Sequence, residues 1–202
     1  MPRVKILAIS DTEVRELRDE YDPALFKEVD LILSCGDLQP EYLTLVREKI
    51  NAPLYYVLGN HDLRYKQSPP MGCTDISFTT AREGGLKLLG LSGSRWYNGG
   101  TNQYHETEMR MFIWKLYFAL WRQQGVDIVV SHAPPRHVHD GEDRCHRGFK
   151  FFHNLINRFQ PAYFLHGHIH AHFNNDQERM SRINNTRVIN CCGFYVFESE
   201  TF

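Results

Sequence analysis

Apolar runs recur along the chain, and most of them are followed at once by polar residues able to bind a metal or move a proton. Val4 to Ile9, Leu31 to Ser34, Leu54 to Leu58, Leu86 to Leu91, Asp127 to Val130 and Tyr163 to Leu165 read as strands, and Arg187 to Asn190 and Tyr195 to Glu198 add two more near the end. Helical patterns fall between them, around Pro23 to Val29, Glu41 to Lys49, Glu106 to Gln123 and Gly148 to Phe159. In the last, Phe149, Phe152, Ile156 and Phe159 recur at helical spacing, and Pro161 follows the end. Strands alternating with helices predict an α/β domain. Ser68 to Gly72 and Asn98 to Gly100 read as surface loops, so residues 1–202 are expected to form one domain.

The pattern from Met109 to Trp121 is apolar on more than one side. Glu108, Lys115 and Arg122 mark a polar stripe, while Met111, Trp114, Phe118 and Trp121 mark an apolar one. The simple expectation is a helix packed tightly on the sheet. The alternative is that a second apolar edge, through Phe112 and Leu116, meets a partner subunit, giving a homo-oligomer through the helix around Trp114.

Composition changes this picture little. A net charge of -1 supplies no bulk attraction for nucleic acid or an anionic membrane. The N-terminal residues run straight into a strand without the pattern of a signal peptide, and the Met109 to Trp121 stretch is too short to span a bilayer. A cytoplasmic protein is expected. Five cysteines without a C-x-x-C pair argue against both a disulfide framework and a thiolate zinc cage. The unusual total is 11 histidines, and their positions carry the information.

The strand ends hold that information. Val4 to Ile9 leads into Ser10-Asp11-Thr12-Glu13, and Leu31 to Leu33 into Ser34-Cys35-Gly36-Asp37. Leu54 to Leu58 leads into Gly59-Asn60-His61-Asp62, Asp127 to Val130 into Ser131-His132, and Tyr163 to Leu165 into His166-Gly167-His168-Ile169-His170. The carboxyl ends of strands in an open α/β sheet form the rim where ligands bind, so these groups point to one shared location. Carboxylates with imidazoles and no thiolate suit first-row divalent metals, and a carboxylate such as Asp37 can bridge two of them.

The ordered set D-x-E, G-D, G-N-H-D, H-A-P-P and G-H-I-H, from Asp11 to His170, resembles the calcineurin-like metallophosphoesterase family. The resemblance implies a four-layer α/β/β/α sandwich with a metal site at the carboxyl ends of the strands. It also implies two divalent ions, manganese first, with iron, zinc, nickel or magnesium as other candidates. By position, one ion would be held by Asp11, Glu13, Asp37 and His170, the other by Asp37, Asn60, His132 and His168. His61 matches the residue placed near the leaving group. A looser resemblance, through His132, Pro134-Pro135, Asp143, His146-Arg147-Gly148 and Gly167-His168, is to a subgroup that includes cyclic-nucleotide phosphodiesterases.

One position departs from the family pattern, which has histidine where this chain has Glu13. A ligating Glu13 gives the first ion a third carboxylate and favours harder metals; a Glu13 turned away leaves that site weak or empty. The function implied is hydrolysis of a small phosphomonoester or phosphodiester by metal-activated water, with His61 assisting the leaving group. The competing reading is a catalytically weak or inactive metal-binding scaffold for protein contacts. Near-neutral charge weighs against a nuclease. Arg95 and Tyr97 are candidate substrate contacts, His146 a candidate pocket residue, and His166 reads as a support behind the ligands.

Overall fold

Strands form where the apolar runs predict them, because two stacked sheets bury most of those runs on both faces. The structure, a computed structural model, describes residues 3–199. In chain order the elements are β1 (Lys5–Ser10), β2 (Leu31–Ser34), α1 (Pro40–Ile50), β3 (Leu54–Tyr56), β4 (Cys73–Asp75), β5 (Thr80–Glu83), β6 (Leu86–Leu91), β7 (Ser94–Arg95), β8 (Gln103–Tyr104), α2 (Glu106–Arg122), β9 (Ile128–Ser131), α3 (Phe151–Phe159), β10 (Tyr163–His166), β11 (Met180–Ile183), β12 (Thr186–Asn190) and β13 (Gly193–Glu198).

One sheet runs β13-β1-β2-β3-β4 and the other β11-β12-β10-β9-β6-β5, with β7 and β8 forming a small separate pair. β1 to β4 are mutually parallel, as are β6, β9, β10 and β12, so within each sheet these strands end on the same side. The antiparallel partners β13, β5 and β11 lie at sheet margins.

Alternation of side chains along each strand builds the layers. Ile6 and Ala8 of β1, with Leu31 and Leu33 of β2, meet Ile128, Val130, Leu165 and Ile189 of the second sheet. On the opposite face of the first sheet, Leu7, Ile9 and Ile32 pack with Tyr42, Leu43 and Val46 of α1. On the outer face of the second, Leu89, Val129, Phe164 and Val188 pack with Met109, Ile113 and Leu120 of α2 and Phe152, Leu155 and Ile156 of α3. The result is the expected four-layer α/β/β/α sandwich. Strands buried on both faces read as unbroken apolar runs, which is why they were visible in the sequence.

Two expectations need correction. Pro23 to Val29 forms turns, not a helix. Asp22 Oδ1 accepts the Ala24 N–H at 2.8 Å, and Glu28 takes φ +63°, which ends any helical path. On α2 the faces are reversed: Met111, Trp114, Phe118 and Trp121 point outward at 45%, 56%, 70% and 72% exposure, while Met109, Ile113 and Leu120 are fully buried. The Phe112 edge considered for a partner packs inward instead, its ring 4.5 Å from that of Phe78. Helical periodicity revealed two apolar faces and gave no means of ranking them. Strands β4, β5, β7, β8 and β11 lacked an apolar run and escaped the sequence pattern. Among the described residues no helix is long and apolar enough to cross a membrane.

These packing assignments predict unequal stability losses. Phe152→Ala should lower the unfolding free energy by about 3–5 kcal/mol, and Phe118→Ala by less than about 0.5 kcal/mol. Denaturant titration of the two variants checks the inward face of the α2–α3 layer, and a reversed ranking would contradict it.

Candidate metal centre

Five strand ends deliver polar side chains to one rim. Asp11 follows β1, Asp37 lies just beyond β2, Asn60 beyond β3, His132 follows β9 and His168 lies just beyond β10. Asp37 and Asn60 come from one sheet and His132 and His168 from the other. Among the described residues, the one group of three or more His, Cys, Asp or Glu donors with ligand atoms within 4.8 Å of one another is Asp37, His132 and His168.

The imidazole of His132 is the centre of this group. Its Nδ1 lies 2.8 Å from the Cys35 carbonyl oxygen, which can only accept, so Nδ1 carries a proton. Its Nε2 then faces Asn60 Oδ1 at 3.0 Å and Asp37 Oδ2 at 3.3 Å. A ring lone pair and two oxygens cannot share that space comfortably unless a cation or a proton sits among them. His168 is fixed in a similar way: its Nε2 donates to the Cys145 carbonyl at 2.7 Å, leaving Nδ1 as the free lone pair. Backbone carbonyls that set the tautomer of a histidine are the usual support of a metal ligand. With no lysine, arginine or thiolate among these donors, the residues present fit a divalent cation.

The electrostatics agree. Burial opposes the charge on Asp37, yet the His132 ring and the His61 N–H hold its carboxyl down to about 2. Burial favours a neutral His132, but the Asp37 carboxylate overrides this and raises the ring to about 9. A proton thus settles where a cation would. His168 is lowered to about 3, first by burial and then by the charge of His132. Burial pushes Asp62 up to about 6 and raises Asp11 as well, so the rim is short of positive charge.

Asp11 adjoins the cluster through the backbone. Both its oxygens accept the His168 N–H, at 2.9 and 3.0 Å, and its Oδ1 lies 3.7 Å from His170 Nε2. His170 is largely exposed. Glu13 is not brought to the cluster: its Oε2 pairs with Arg18 Nη1 at 2.5 Å, toward a neighbouring cleft that also includes Gln39 and Tyr42. His61 gives its backbone N–H to Asp37 Oδ1 at 2.8 Å, and its exposed ring has no hydrogen-bond partner among the described residues.

Several supports were not identified from the sequence. Asp62 Oδ2 accepts the N–H groups of Asp37 and Gly59 at 2.9 and 2.7 Å, tying two strand-end turns together. Tyr97 is directed at Asn60, not simply at substrate: its hydroxyl accepts from Asn60 Nδ2 at 3.3 Å, which leaves Oδ1 facing His132. Buried Arg136 pairs with Asp140 at 2.6 Å and Glu142 at 2.7 Å, bracing the loop that presents Cys145. His146, in that loop, pairs with Asp143 at 3.0 Å, and its ring lies 5.7 Å from that of His168. His166 is buried and accepts from or donates to His139 across 2.9 Å, a support and not a member of the donor group. Asp62 had a sequence signal, since it closes the G-N-H-D turn; the sequence already marks His166 as a support, while Arg136 and the Cys35 and Cys145 carbonyls gave no sign in it.

Two facing sheets with a cation-type donor set at their strand ends define a metal-binding α/β protein. Its family follows from the sequence: the model of the calcineurin-like phosphoesterases matches residues 4–172, and the chain belongs to that family. One solved structure shares 15% identity, covers 98% of this chain and 99% of its own, and superposes with a TM-score of 0.67. TT1561 of Thermus thermophilus shares 17% identity, with 95% of this chain and 90% of that chain covered, at a TM-score of 0.66. At such identities these likenesses concern the fold alone. No curated protein sequence matches the chain.

Gly59 supplies a direct test of the donor group. A Cβ at this position would lie 2.0 Å from Asp37 Oδ1, so a side chain must displace the carboxylate. Gly59→Ala should weaken manganese binding by at least about tenfold while the circular dichroism spectrum stays native. Calorimetric titration gives the affinity, and an unchanged value would remove Asp37 from the ligand set.

Proposed function

We propose that the chain is a metal-dependent phosphoric ester hydrolase acting on a small phosphomonoester or phosphodiester. The observation that carries this reading is the convergence of Asn60 Oδ1, Asp37 Oδ2 and His132 Nε2 within 3.0 to 3.3 Å at a rim shared by both sheets. Membership of the calcineurin-like phosphoesterase family supports it.

In this reading Asp37, Asn60, His132 and His168 hold one divalent ion, and Asp11, Asp37 and His170 a second. Oxygen and nitrogen donors without sulfur favour manganese, with iron, zinc, nickel or magnesium able to compete. When bound, such ions supply Lewis-acid stabilisation of a phosphoryl group and lower the pKa of a bound water toward ~7. The chain's own work is positional. Cys35 and Cys145 carbonyls orient the two buried imidazoles, and Asp62 fixes the turns bearing Asp37 and Gly59. His61 stands at the exposed side with a free ring, suited to give a proton to the departing oxygen. Five free thiols favour a reducing compartment, and we place the protein in the cytoplasm.

The exposed aromatic face of α2, with Trp114, Phe118 and Trp121, supports a second reading, a metal-binding scaffold that meets other proteins. One assay separates the two. The protein supplemented with manganese should hydrolyse bis-p-nitrophenyl phosphate or p-nitrophenyl phosphate; absence of turnover with every metal named above would favour the scaffold. His61→Ala should keep its metal content but lose turnover by about tenfold or more, and full activity in this variant would deny His61 its role.

Glu13 generates a separate prediction. For Glu13 to join the Asp11–His170 ion, it must leave Arg18. Arg18→Ala should therefore raise the affinity for the second manganese ion several-fold, measured by titration. An unchanged second affinity would exclude Glu13 as a ligand.

A further inference from the structure

A cleft of about 220 Å³ is lined by Arg95 and Trp96, by His105 and Glu106 at the start of α2, and by Arg144 and Arg147 of the loop before α3. Two of its walls adjoin the donor cluster by one residue. Arg144 precedes Cys145, whose carbonyl accepts from His168 at 2.7 Å, and Trp96 precedes Tyr97, whose hydroxyl accepts from Asn60 at 3.3 Å.

The cleft is strongly cationic. Three guanidinium groups face a single carboxylate, Glu106, and that carboxylate already accepts the N–H groups of Phe151 and Lys150 at 2.7 and 3.2 Å. The side chains of Arg95 and Arg144 have no hydrogen-bond or ion-pair partner among the described residues. Arg147 donates through Nη2 to the Glu142 carbonyl at 2.5 Å and lies 3.9 Å from the exposed Glu142 carboxylate, but its Nε is enclosed without an acceptor. An enclosed, charged N–H without an acceptor is unfavourable, and like charges so placed repel. Both costs fall when an anion enters. The cleft also has a flat wall: the Trp96 ring, 43% exposed, stacks on His105 at 5.1 Å and 20°.

We propose that this cleft is the subsite for the non-reacting end of the substrate, and that it selects a nucleotide carrying a second phosphate. The inference rests on the phosphoesterase reading for its placement beside the reacting group. The metal-type cluster suffices to engage one phosphoryl group, so three arginines beyond it call for another anion. Guanidinium forks match phosphate oxygens, and the exposed indole offers a stacking face to a planar base.

Binding and turnover test this separately. Metal-free protein titrated calorimetrically with ADP should bind it, and Arg95→Gln combined with Arg144→Gln should weaken that binding by about tenfold or more. Trp96→Leu should weaken ADP but leave pyrophosphate within about twofold, since pyrophosphate has no base to stack. In the metal-loaded enzyme the double arginine variant should hydrolyse bis-p-nitrophenyl phosphate normally, yet lose kcat/KM on the p-nitrophenyl ester of thymidine bisphosphate by raising KM. ADP affinity unaltered in the arginine variant, or equal losses on both esters, would overturn the proposal. Failure of the wild-type protein to hydrolyse any ester would overturn the phosphoesterase reading and the substrate assignment built on it, while the ADP titration still decides whether the cleft binds a nucleotide.

Discussion

The two sheets share an apolar interior, but at one rim they meet through an ionic contact, the His132 ring against the Asp37 carboxylate. Both side chains are removed from water, where a charge is costly unless a partner of opposite sign is held close. The surroundings of the rim follow from that requirement. The Cys35 carbonyl holds one face of the ring, the amide of His61 and the turn tied by Asp62 hold the carboxylate, and Asn60 completes the enclosure. Each of these partners comes from the first sheet, while the ring they fix comes from the second.

The backbone at this rim departs from its local preferences. Asp11, Asp37 and His168 take φ values of +63°, +55° and +67°, a region that costs non-glycine residues of order 1–3 kcal/mol each. Hydrogen bonds over-determine the strained turns: Asp11 N–H to the Gly36 carbonyl at 3.1 Å, Asp37 N–H to Asp62, and His168 N–H to Asp11. Gly167 permits the closest approach, since a Cβ there would lie 1.9 Å from Ser10 Oγ. Positive φ also occurs away from the rim, at Glu28, Phe78, Gln124 and Gln160 among others, but at the rim it falls on three side chains able to bind a metal.

Much of this was legible in the chain because burial on both faces leaves a plain mark. The strands carrying Ile6, Ile32, Val129 and Phe164 are continuous apolar runs, and the polar residues beyond them could only lie at strand ends. What escaped was decided by contacts between distant residues. The inward face of α2 depends on Phe78 and Tyr104, which no helical period reveals. The turns in place of a helix before β2 depend on single backbone angles. The placement of Glu13 depends on Arg18, five residues away, which no motif singles out. The supports of the donor group are largely main-chain carbonyls and amides, which have no residue code at all.

The division of the donors between two sheets bears on the order of events when the protein is made. Asp11, Asp37 and Asn60 emerge from the ribosome early, but His132 and His168 belong to strands synthesised much later, and neither sheet alone assembles the group. The complete donor group therefore exists only where the two sheets are docked, so an ion held by it also holds the halves of the chain together.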